Sequence, residues 1–526
     1  MSPSRFGRAL LGTLALSLGA AGAAHGAAFA HAPPPLTGVV TDSAGRPLSD
    51  ATVAIGALSR ATRTGPDGTF TFRSLPAGTY HLDVSLLGYA PEHATVTLPA
   101  SGDAPAVRVT LRSTALALQG VVVTGTPNAS DPLRVTQAVT QVSGKQLDRS
   151  LGSTVAQTLA REPGIDTRYN GPAAATPVIR GLSGDRVLVL QDGQRTGDLS
   201  GAAPDHGLSI DPLAATRLEV VRGPASLLYG SGAIGGVVNV IEEDIPTDVP
   251  SHLDGFVAAQ GESVNPGGGG TAQLSVPLGG SVALLARGGG RRVDDVRVGG
   301  GSRLPNTFLH NYHGDVGLGY VGERLSGGVA GSGYVFNYGL PSPPADEEAG
   351  THIRGHRWEG KGRVALPLAG LGWLSDLRLD GTAQWYAHDE VEPSGEVGTS
   401  FGLRTQTANL QGRTRFGTVN GALGVTGLFR QYESTGEEAL TPAADTRNLG
   451  VFAFQEIPLG SNEETAPRLQ LGGRWDTYRI VSKDGGEKFG PGRTIDLNAF
   501  SGSAGLSVPV TRGVSVSASV ARAFRA

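Results

Sequence analysis

Long stretches of alternating polar and apolar residues fill the second half of the chain and constrain its fold more than any other feature. In one stretch, Leu377, Leu379 and Trp385 share one face of an extended chain, whereas Asp380 and Gln384 take the other. Such stretches recur from about residue 250 onward, and strands of soluble sheets are shorter, about 5–6 residues. The pattern therefore predicts a transmembrane antiparallel β-barrel, apolar outside and polar inside. A soluble all-β fold is the alternative.

Composition excludes several classes of protein. The chain has no cysteine, so disulfides, iron–sulfur clusters and thiol catalysis are excluded. Its 43 basic and 47 acidic residues give a net charge of −4, which does not indicate nucleic-acid binding. Glycine (80 residues) and proline (33) are abundant, which favours turns and strands over helical cores.

The N-terminus has the pattern of an export signal. Arg5 and Arg8 precede the apolar run Ala9–Leu18, and small residues follow up to Ala28-Phe29-Ala30. This order predicts a secretory signal peptide over residues 1–30, cleaved at or slightly before Ala30. A membrane anchor is the alternative. After it we find no apolar run of about 18 residues, so no membrane helix is expected.

Two further segments precede the middle of the chain. Short alternating runs separated by glycine-containing turns predict a small β-sandwich over residues 36–112. The β-prone run Leu118–Gly125 then leads into a polar linker that ends at Pro132, so the segment covers residues 118–132. A run of this kind in a linker can add a strand to the open sheet edge of a partner.

The middle of the chain centres on the stretch Leu218–Ile241. It is predicted to form a strand, a short helix opened by Pro224, a glycine-dense turn and a second strand. Gly230–Gly235 matches the dinucleotide-binding pattern G-x-G-x-x-G. That pattern needs a strand before it and a helix after it, and the order is reversed in this chain.

The same stretch closely resembles the end of the plug domain of TonB-dependent outer-membrane receptors. The matching residues are Arg222-Gly223-Pro224, Leu228-Tyr229-Gly230 and Gly235-Gly236-Val237-Val238-Asn239-Val240-Ile241, with Arg180-Gly181 upstream. The resemblance implies a plug over residues 133–245 and the N-terminal part of a barrel over residues 250–526. The fold class expected is mainly β: an Ig-like sandwich, an α+β plug and about 13 of about 22 barrel strands. We therefore expect the chain to be a C-terminally truncated part of a longer receptor.

The resemblance also implies partners. Val121, Val122, Val123 and Thr124 resemble the TonB box, which pairs with TonB, energised by ExbB and ExbD, in the periplasm. Residues 36–112 resemble the carboxypeptidase-regulatory-like domain, and no zinc-protease spacing accompanies it. The expected location is the outer membrane and its lipid, with the N-terminal module and the TonB box in the periplasm. No nucleic acid and no resident cofactor are expected.

Within this family the chain most resembles the zinc-uptake (ZnuD-like) branch. The residues that carry this likeness are Ala203-Pro204-Asp205-His206, Asn337-Tyr338-Gly339-Leu340-Pro341 and Tyr386-Ala387-His388-Asp389-Glu390. The resemblance implies a metal site at Asp205 and His206. His388 and Glu390 keep the polar parity of their strand and could complete it, since imidazole and carboxylate both bind Zn²⁺. The loop Ser342–Gly350 has no histidine, so an iron chelate or haem stays open as the substrate.

These observations predict an importer of a metal ion or metal chelate that performs no covalent chemistry. A binding and signalling receptor that uses the N-terminal module for partner contact is the second hypothesis. An exported soluble hydrolase is the third, although the chain has no G-x-S-x-G elbow, metalloprotease motif or paired-carboxylate context.

Overall fold

A computed structural model describes residues 35–526 of the chain, apart from short gaps. The gaps are residues 43–44, 56–57, 59, 74, 87–88, 90–91, 100–105, 112–123, 125–134, 224–225, 251, 323, 342–349, 369–371, 438, 461–465 and 512–513. The signal peptide at 1–30, Val121–Val123, Pro224 and most of the loop Ser342–Gly350 therefore lie outside the described residues. Across the described ranges, no helix has the length and apolar character to cross a membrane.

The N-terminal module consists of two sheets that share one core. Its strands are β1 (Leu36–Asp42), β2 (Thr52–Ile55), β3 (Arg60–Arg63), β4 (Thr69–Phe72), β5 (Gly78–Ser85), β6 (Glu92–Leu98) and β7 (Val107–Leu111). They form the sheets β4-β1-β7 and β3-β2-β5-β6. Alternate residues of both sheets, such as Val40, Phe70, Leu82 and Val96, are buried against each other. The predicted sandwich is confirmed.

The plug is an α+β unit. Its elements are β8 (Ala138–Ser143), α1 (Gly144–Ser150), α2 (Val155–Leu159), β9 (Ile165–Tyr169), β10 (Ala175–Ile179), β11 (Val187–Gln191), β12 (Gln194–Arg195), β13 (Arg217–Arg222), α3 (Ser226–Tyr229) and β14 (Gly236–Ile241). The main sheet has the order β12-β11-β14-β13-β8, and β9 and β10 form a separate hairpin. The predicted strand–helix–strand order of Leu218–Ile241 is confirmed.

Two positions in the stretch Leu218–Ile241, Gly230 and Gly236, require glycine. Gly230 has a φ of +73°, which a side chain disfavours. A Cβ on Gly236 would lie 2.4 Å from the carbonyl oxygen of Val221 on the neighbouring strand. Both glycines therefore allow β14 to return beside β13.

The cap of α2 is Thr154 and not the preceding Ser153, and the helix covers Val155–Leu159. The Thr154 hydroxyl accepts a hydrogen bond from the backbone N–H of Gln157, and the Gln157 side chain accepts one from the N–H of Thr154. The Ser153 hydroxyl instead donates to Glu262 of the barrel, 2.8 Å away. A reciprocal capping box satisfies two orphan donors, so it favours the start one residue later.

From residue 254 onward, the described part of the chain forms one antiparallel sheet of 13 strands, in which strands that are consecutive in sequence are paired. The strands are β15 (Asp254–Glu262), β16 (Gly267–Gly279), β17 (Val282–Val293), β18 (Leu309–Val321), β19 (Ser326–Gly339), β20 (His352–Pro367), β21 (Leu374–Val391), β22 (Val397–Phe416), β23 (Val419–Gly436), β24 (Ala444–Pro458), β25 (Arg468–Ser482), β26 (Thr494–Thr511) and β27 (Val514–Arg522). A short helix, α4 (Gly486–Phe489), lies between β25 and β26. Among the described residues, β15 and β27 are the sheet edges and do not pair with each other.

The two faces of this sheet have the predicted character. On β21, Leu379 and Trp385 are 47% and 46% exposed, whereas Asp380, Thr382 and Gln384 are buried. The buried polar face is turned toward the plug, since the Gln384 amide donates to the backbone oxygen of Arg195 at 2.7 Å. The exposed apolar face is that expected of a barrel wall in lipid. The partial barrel is thus confirmed.

Candidate functional site

Three of the four predicted metal ligands lie together where the plug meets the barrel wall. His206 comes from a plug loop, whereas His388 and Glu390 lie two residues apart on β21 and so face the same side. The His206 Nε2 is 3.2 Å from the Glu390 Oε1, and the two imidazole rings are 4.7 Å apart. One ligand atom from each residue lies within 4.8 Å of the other two.

The imidazoles of this group keep open nitrogen atoms. His206 and His388 are 4% and 2% exposed. The His206 Nδ1 and both nitrogens of His388 have no hydrogen-bond partner among the described residues. Buried polar atoms are nearly always satisfied in native proteins. The geometry is therefore suited to an added ligand such as a divalent cation.

Phe401 on β22 holds both rings in place. Its ring stacks on His388 with centroids 4.6 Å apart and meets His206 edge-on at 5.4 Å. These contacts cover the faces of the imidazole rings, whereas the nitrogens at the ring edges stay uncovered. Residue-type patterns gave no sign of this role for Phe401.

The loop that carries His206 is fixed by Tyr338 of β19. Its hydroxyl accepts a hydrogen bond from the N–H of Gly207 at 2.7 Å and donates one to the backbone oxygen of Asp205 at 2.9 Å. Asp205 thus contributes a main-chain atom to the loop, and its half-buried carboxylate is not part of the three-residue group. A role for that carboxylate in metal binding stays a prediction. The sequence signal for Tyr338 was its place in the Tyr-Gly-Leu-Pro motif.

Thr124, the last residue of the predicted TonB box, is docked on the plug sheet. Its N–H and hydroxyl both donate to the Glu219 Oε2, at 2.9 and 2.5 Å. The Asn239 amide donates to the Thr124 hydroxyl at 2.9 Å, and the Tyr229 hydroxyl donates to the Thr124 carbonyl at 3.1 Å. Thr124 and Glu219 are fully buried. Asn239 belongs to the plug motif, but its contact with Thr124 and the role of Glu219 were not predicted from the sequence.

The remaining plug-motif residues shape the plug. The Arg222 guanidinium donates to the Thr140 hydroxyl and to the Pro163 carbonyl, both at 2.7 Å, and burial lowers its pKa. Arg180 and Gly181 form a tight turn with φ values of +51° and +81°. Tyr229 is partly buried, and its desolvation raises its pKa. Gly223 has a φ of +95°. A Cβ on Gly235 would lie 2.8 Å from the Leu182 side chain.

A second group of acidic residues, Glu242, Asp244 and Asp315, also lies within ligand distance of one another. Arg287 of β17 contacts all three, and Lys361 of β20 pairs with Asp244. Cations of the protein therefore already occupy the place of an ion. Glu242 and Asp244 lie at the end of the plug, whereas Asp315, Arg287 and Lys361 belong to the barrel wall. We call these five residues the plug–wall ion-pair cluster.

The plug–wall ion-pair cluster shifts the pKa values of two plug carboxylates, those of Glu242 and Asp192. Burial together with the neighbouring Asp244 raises the pKa of Glu242 to about 8. Burial alone would also raise the pKa of Asp192, but Lys361 and two backbone N–H groups outweigh it and hold that pKa at about 2. Asp192 is thus ionised at neutral pH, whereas Glu242 is mostly protonated.

A plug held inside an antiparallel wall, apolar outside and polar inside, defines a plugged outer-membrane β-barrel. Comparison of the sequence with models of protein families supports this class. The TonB-dependent receptor plug domain matches residues 131–237, and the TonB dependent receptor-like β-barrel matches residues 300–526. The carboxypeptidase regulatory-like domain matches residues 35–112. The chain belongs to the TonB-dependent receptor family, whose members are transporters and receptors of the outer membrane.

Two curated relatives are hemin receptors. The one from Yersinia pestis is 26% identical over 423 residues, which cover 77% of this chain and 60% of that protein. The one from Yersinia enterocolitica is 25% identical over 419 residues, covering 77% and 59%. The chain thus spans about 60% of the length of these relatives.

Solved structures share the fold at low identity. The hemophore receptor HasR of Serratia marcescens, in complex with its hemophore and heme, has a TM-score of 0.62 at 17% identity, covering 76% of this chain and 65% of that one. The copper transporter OprC gives 0.61 at 17% identity, covering 77% and 63%. The ferric yersiniabactin uptake receptor FyuA of Yersinia pestis gives 0.55 at 17%, covering 74% and 65%.

Proposed function

We propose that this chain is the plug and barrel wall of an importer that takes a metal ion or metal chelate through the outer membrane into the periplasm. TonB, energised by ExbB and ExbD, would bind Val121–Thr124 from the periplasmic side and pull on the plug. The family, the hemin receptors among its relatives and the metal-related neighbours in structure support this class of substrate. Transport needs only that substrate and TonB favour different plug states.

Within this class we favour a bare divalent cation such as Zn²⁺ as the substrate. The observation that carries this choice is the buried group of His206, His388 and Glu390, whose ligand atoms lie within 4.8 Å of one another. A single ion of that size can bind all three, with bonds of about 2.0–2.2 Å after small side-chain adjustments. The same group joins the plug to the wall, so a bound ion would contact both parts.

Haem is the second candidate, and the hemin-receptor relatives favour it. The two imidazoles are buried and Phe401 packs on both, which leaves little space for a flat macrocycle at either nitrogen. Haem binding would therefore require the loop around His206 to move. An iron chelate would bind above this group, among the loops.

Calorimetric titration of the purified full-length receptor with Zn²⁺ tests the proposal. We expect His206→Ala and His388→Ala each to weaken binding about 10-fold or more, as loss of a metal ligand does. His356→Ala is the matched control, since His356 lies on the exposed face of the neighbouring strand β20. Equal affinity in the wild type and both variants would remove this group as the site. Hemin that binds tightly while Zn²⁺ does not would favour the second candidate.

The signalling alternative has its own test. Deletion of residues 36–112 from the full-length receptor should leave metal uptake unchanged if that module contacts periplasmic partners only. Loss of uptake, with normal levels of receptor in the membrane, would assign the module to transport instead.

A further inference from the structure

A row of glycines crosses the outward face of the barrel wall. Gly288 on β17 is opposite Gly314 on β18, and Gly331 on β19 is opposite Gly360 on β20. Residues of the opposite parity, such as Arg287, point inward and are buried. The glycines form the floor of an apolar groove of about 1190 Å³ on the outside of the sheet.

Neither the backbone nor the packing requires glycine at these four positions. None of the four has a left-handed φ. A Cβ on Gly288, Gly314 or Gly331 would come no closer than 3.8, 3.6 and 3.9 Å to its nearest neighbour, and one on Gly360 would meet nothing within 4 Å. These are ordinary contact distances or open space. The glycines therefore keep the groove open.

The walls of the groove are large apolar side chains. Trp358 and Trp385 are direct cross-strand partners and are 51% and 46% exposed. Val316 and Leu274, which also line the groove, are 54% and 45% exposed. This face of a barrel contacts lipid, so acyl chains are the medium that fills a groove in it.

Two arginines on the same outward face, Arg292 and Arg354, lie closer than the glycines to the strand ends that border the connections 294–308 and 340–351. Arg292 on β17 is four residues from Gly288, about 13 Å along the strand. Arg354 stands four residues before Trp358 on β20 and is 55% exposed at its side chain, 3.5 Å from Asp389. Arg404 is exposed and opposite Trp385, so it lies level with the two tryptophans and outside this band. Arg292, Arg354 and Asp389 share one cross-strand row, so two arginines and one aspartate give this band a net positive charge. Tryptophan is typical of the boundary between lipid and water.

We propose that this face of β17–β22 binds one phosphate-bearing lipid of the outer membrane. An acyl chain lies over Gly288, Gly314, Gly331 and Gly360, beside the two tryptophans. The phosphate lies at Arg292 and Arg354, since guanidinium groups match phosphate oxygens in geometry and charge. The positive band selects an anionic headgroup over a zwitterionic one. This site is separate from the metal group, which lies on the inner face.

Native mass spectrometry of the full-length receptor in detergent, titrated with phosphatidylglycerol, tests the proposal. The double variant Gly314→Leu/Gly360→Leu fills the groove and should lower the affinity for this lipid at least 10-fold. Gly427→Leu on β23 is the matched control, because it also faces outward and a Cβ there meets nothing nearer than 3.9 Å. Wild-type affinity in the double variant would overturn the proposal.

The headgroup is tested separately. The wild type should bind phosphatidylglycerol at least 10-fold more tightly than phosphatidylcholine, and Arg292→Gln/Arg354→Gln should remove this preference. Inorganic phosphate at millimolar concentration should not displace the lipid. Equal affinity for the two lipids in the wild type, or full displacement by phosphate alone, would contradict a lipid site.

A measurement on the wild type does not depend on whether the variants fold. Phosphatidylglycerol with brominated acyl chains should quench tryptophan fluorescence more strongly than brominated phosphatidylcholine. The difference should vanish in Trp358→Phe/Trp385→Phe, which retains Trp373 and Trp475. Equal quenching by the two brominated lipids in the wild type would overturn the assignment, and so would a difference that persists in this variant.

Discussion

Hydrogen bonding distinguishes two kinds of buried residue in this receptor: those with unpaired polar atoms and those whose polar atoms are all paired. Buried nitrogens of His206 and His388 have no partner among the described residues, although buried polar groups normally do. Thr124 is the opposite case, since its N–H, hydroxyl and carbonyl are all satisfied by the plug. The first arrangement suits a ligand that binds and leaves. The second holds the last residue of the predicted TonB box against the plug.

The Thr124 contacts predict that the TonB box is held against the plug at rest. Thr124→Val keeps the shape but removes the hydroxyl, which costs about 1.5–3 kcal/mol for a hydrogen bond to a charged group. A spin label on Val121→Cys, unique in a cysteine-free chain, should become more mobile in this variant. Thr136→Val, which loses a bond to Gln470, is the control and should leave the label unchanged. An identical spectrum for Thr124→Val would show that Thr124 does not hold the segment.

Glu242 predicts a pH dependence of stability. Its folded pKa of about 8 lies above the usual value of 4.5, so the folded state binds the proton more tightly. This contribution is complete below about pH 4.5 and is lost as the pH rises through about 8. Thermal unfolding of the receptor should therefore shift to lower temperature between pH 5 and pH 9.

Glu242→Gln provides the control, because an amide resembles the protonated acid at every pH. This variant should show a smaller shift over the same window. Asp192 acts in the other direction, since its pKa of about 2 stabilises the fold above about pH 4 and loses this effect in stronger acid. A melting temperature with the same pH slope in the wild type and Glu242→Gln would refute the assignment.

At the scale of the element, β21 shows how one strand serves three environments. Its outward residues, Leu379 and Trp385, are exposed to the lipid side. Its inward residues bind the plug through Gln384 and provide His388 and Glu390 near the loop end. The period of two that separates the faces was readable from the sequence, and it correctly predicted that His388 and Glu390 face inward.

The outward parity of β21 predicts the effect of a charge. Leu379→Arg should destabilise the barrel by about 2–4 kcal/mol if this position lies near the middle of the bilayer. Ser400→Arg is the control, since Ser400 is outward at the loop end and already contacts Asp389. The temperature at which the folded band disappears on gel electrophoresis measures the stability of both variants. Equal resistance in the two variants would contradict the placement of lipid on this face.

For the whole molecule, the relation between plug and wall decides function, and the sequence predicts it only in part. Local alternation and glycine-rich turns were enough for the sandwich, the plug elements and the strands. The contact of His206 with Glu390 joins residues 184 positions apart, and local patterns do not encode such distances. The roles of Tyr338, Phe401 and Glu219 follow from packing between separate elements. They could not be predicted from spacing.

The proposed import requires the plug to move relative to the wall, so a covalent link between them should stop it. Gly505 on β26 lies against Thr136, which precedes β8: a Cβ on Gly505 would be 2.8 Å from the Thr136 Cβ. A disulfide needs about 3.5–4.5 Å between these atoms, so the two segments must separate by about 1 Å to form one. Thr136→Cys/Gly505→Cys should lose metal uptake when oxidised and regain it on reduction, and the reduced double variant is its own control. Full uptake in the oxidised form would show that this part of the plug stays fixed.

The central claim is that a metal ion is bound jointly by the plug and the wall, and X-ray absorption of the Zn²⁺-loaded full-length receptor tests it most directly. We predict imidazole scattering from two histidines at about 2.0–2.1 Å. His388→Ala should reduce the scattering to one histidine, and His356→Ala should leave it unchanged. Zinc bound with no histidine, or with the same histidine scattering in His388→Ala, would contradict the account.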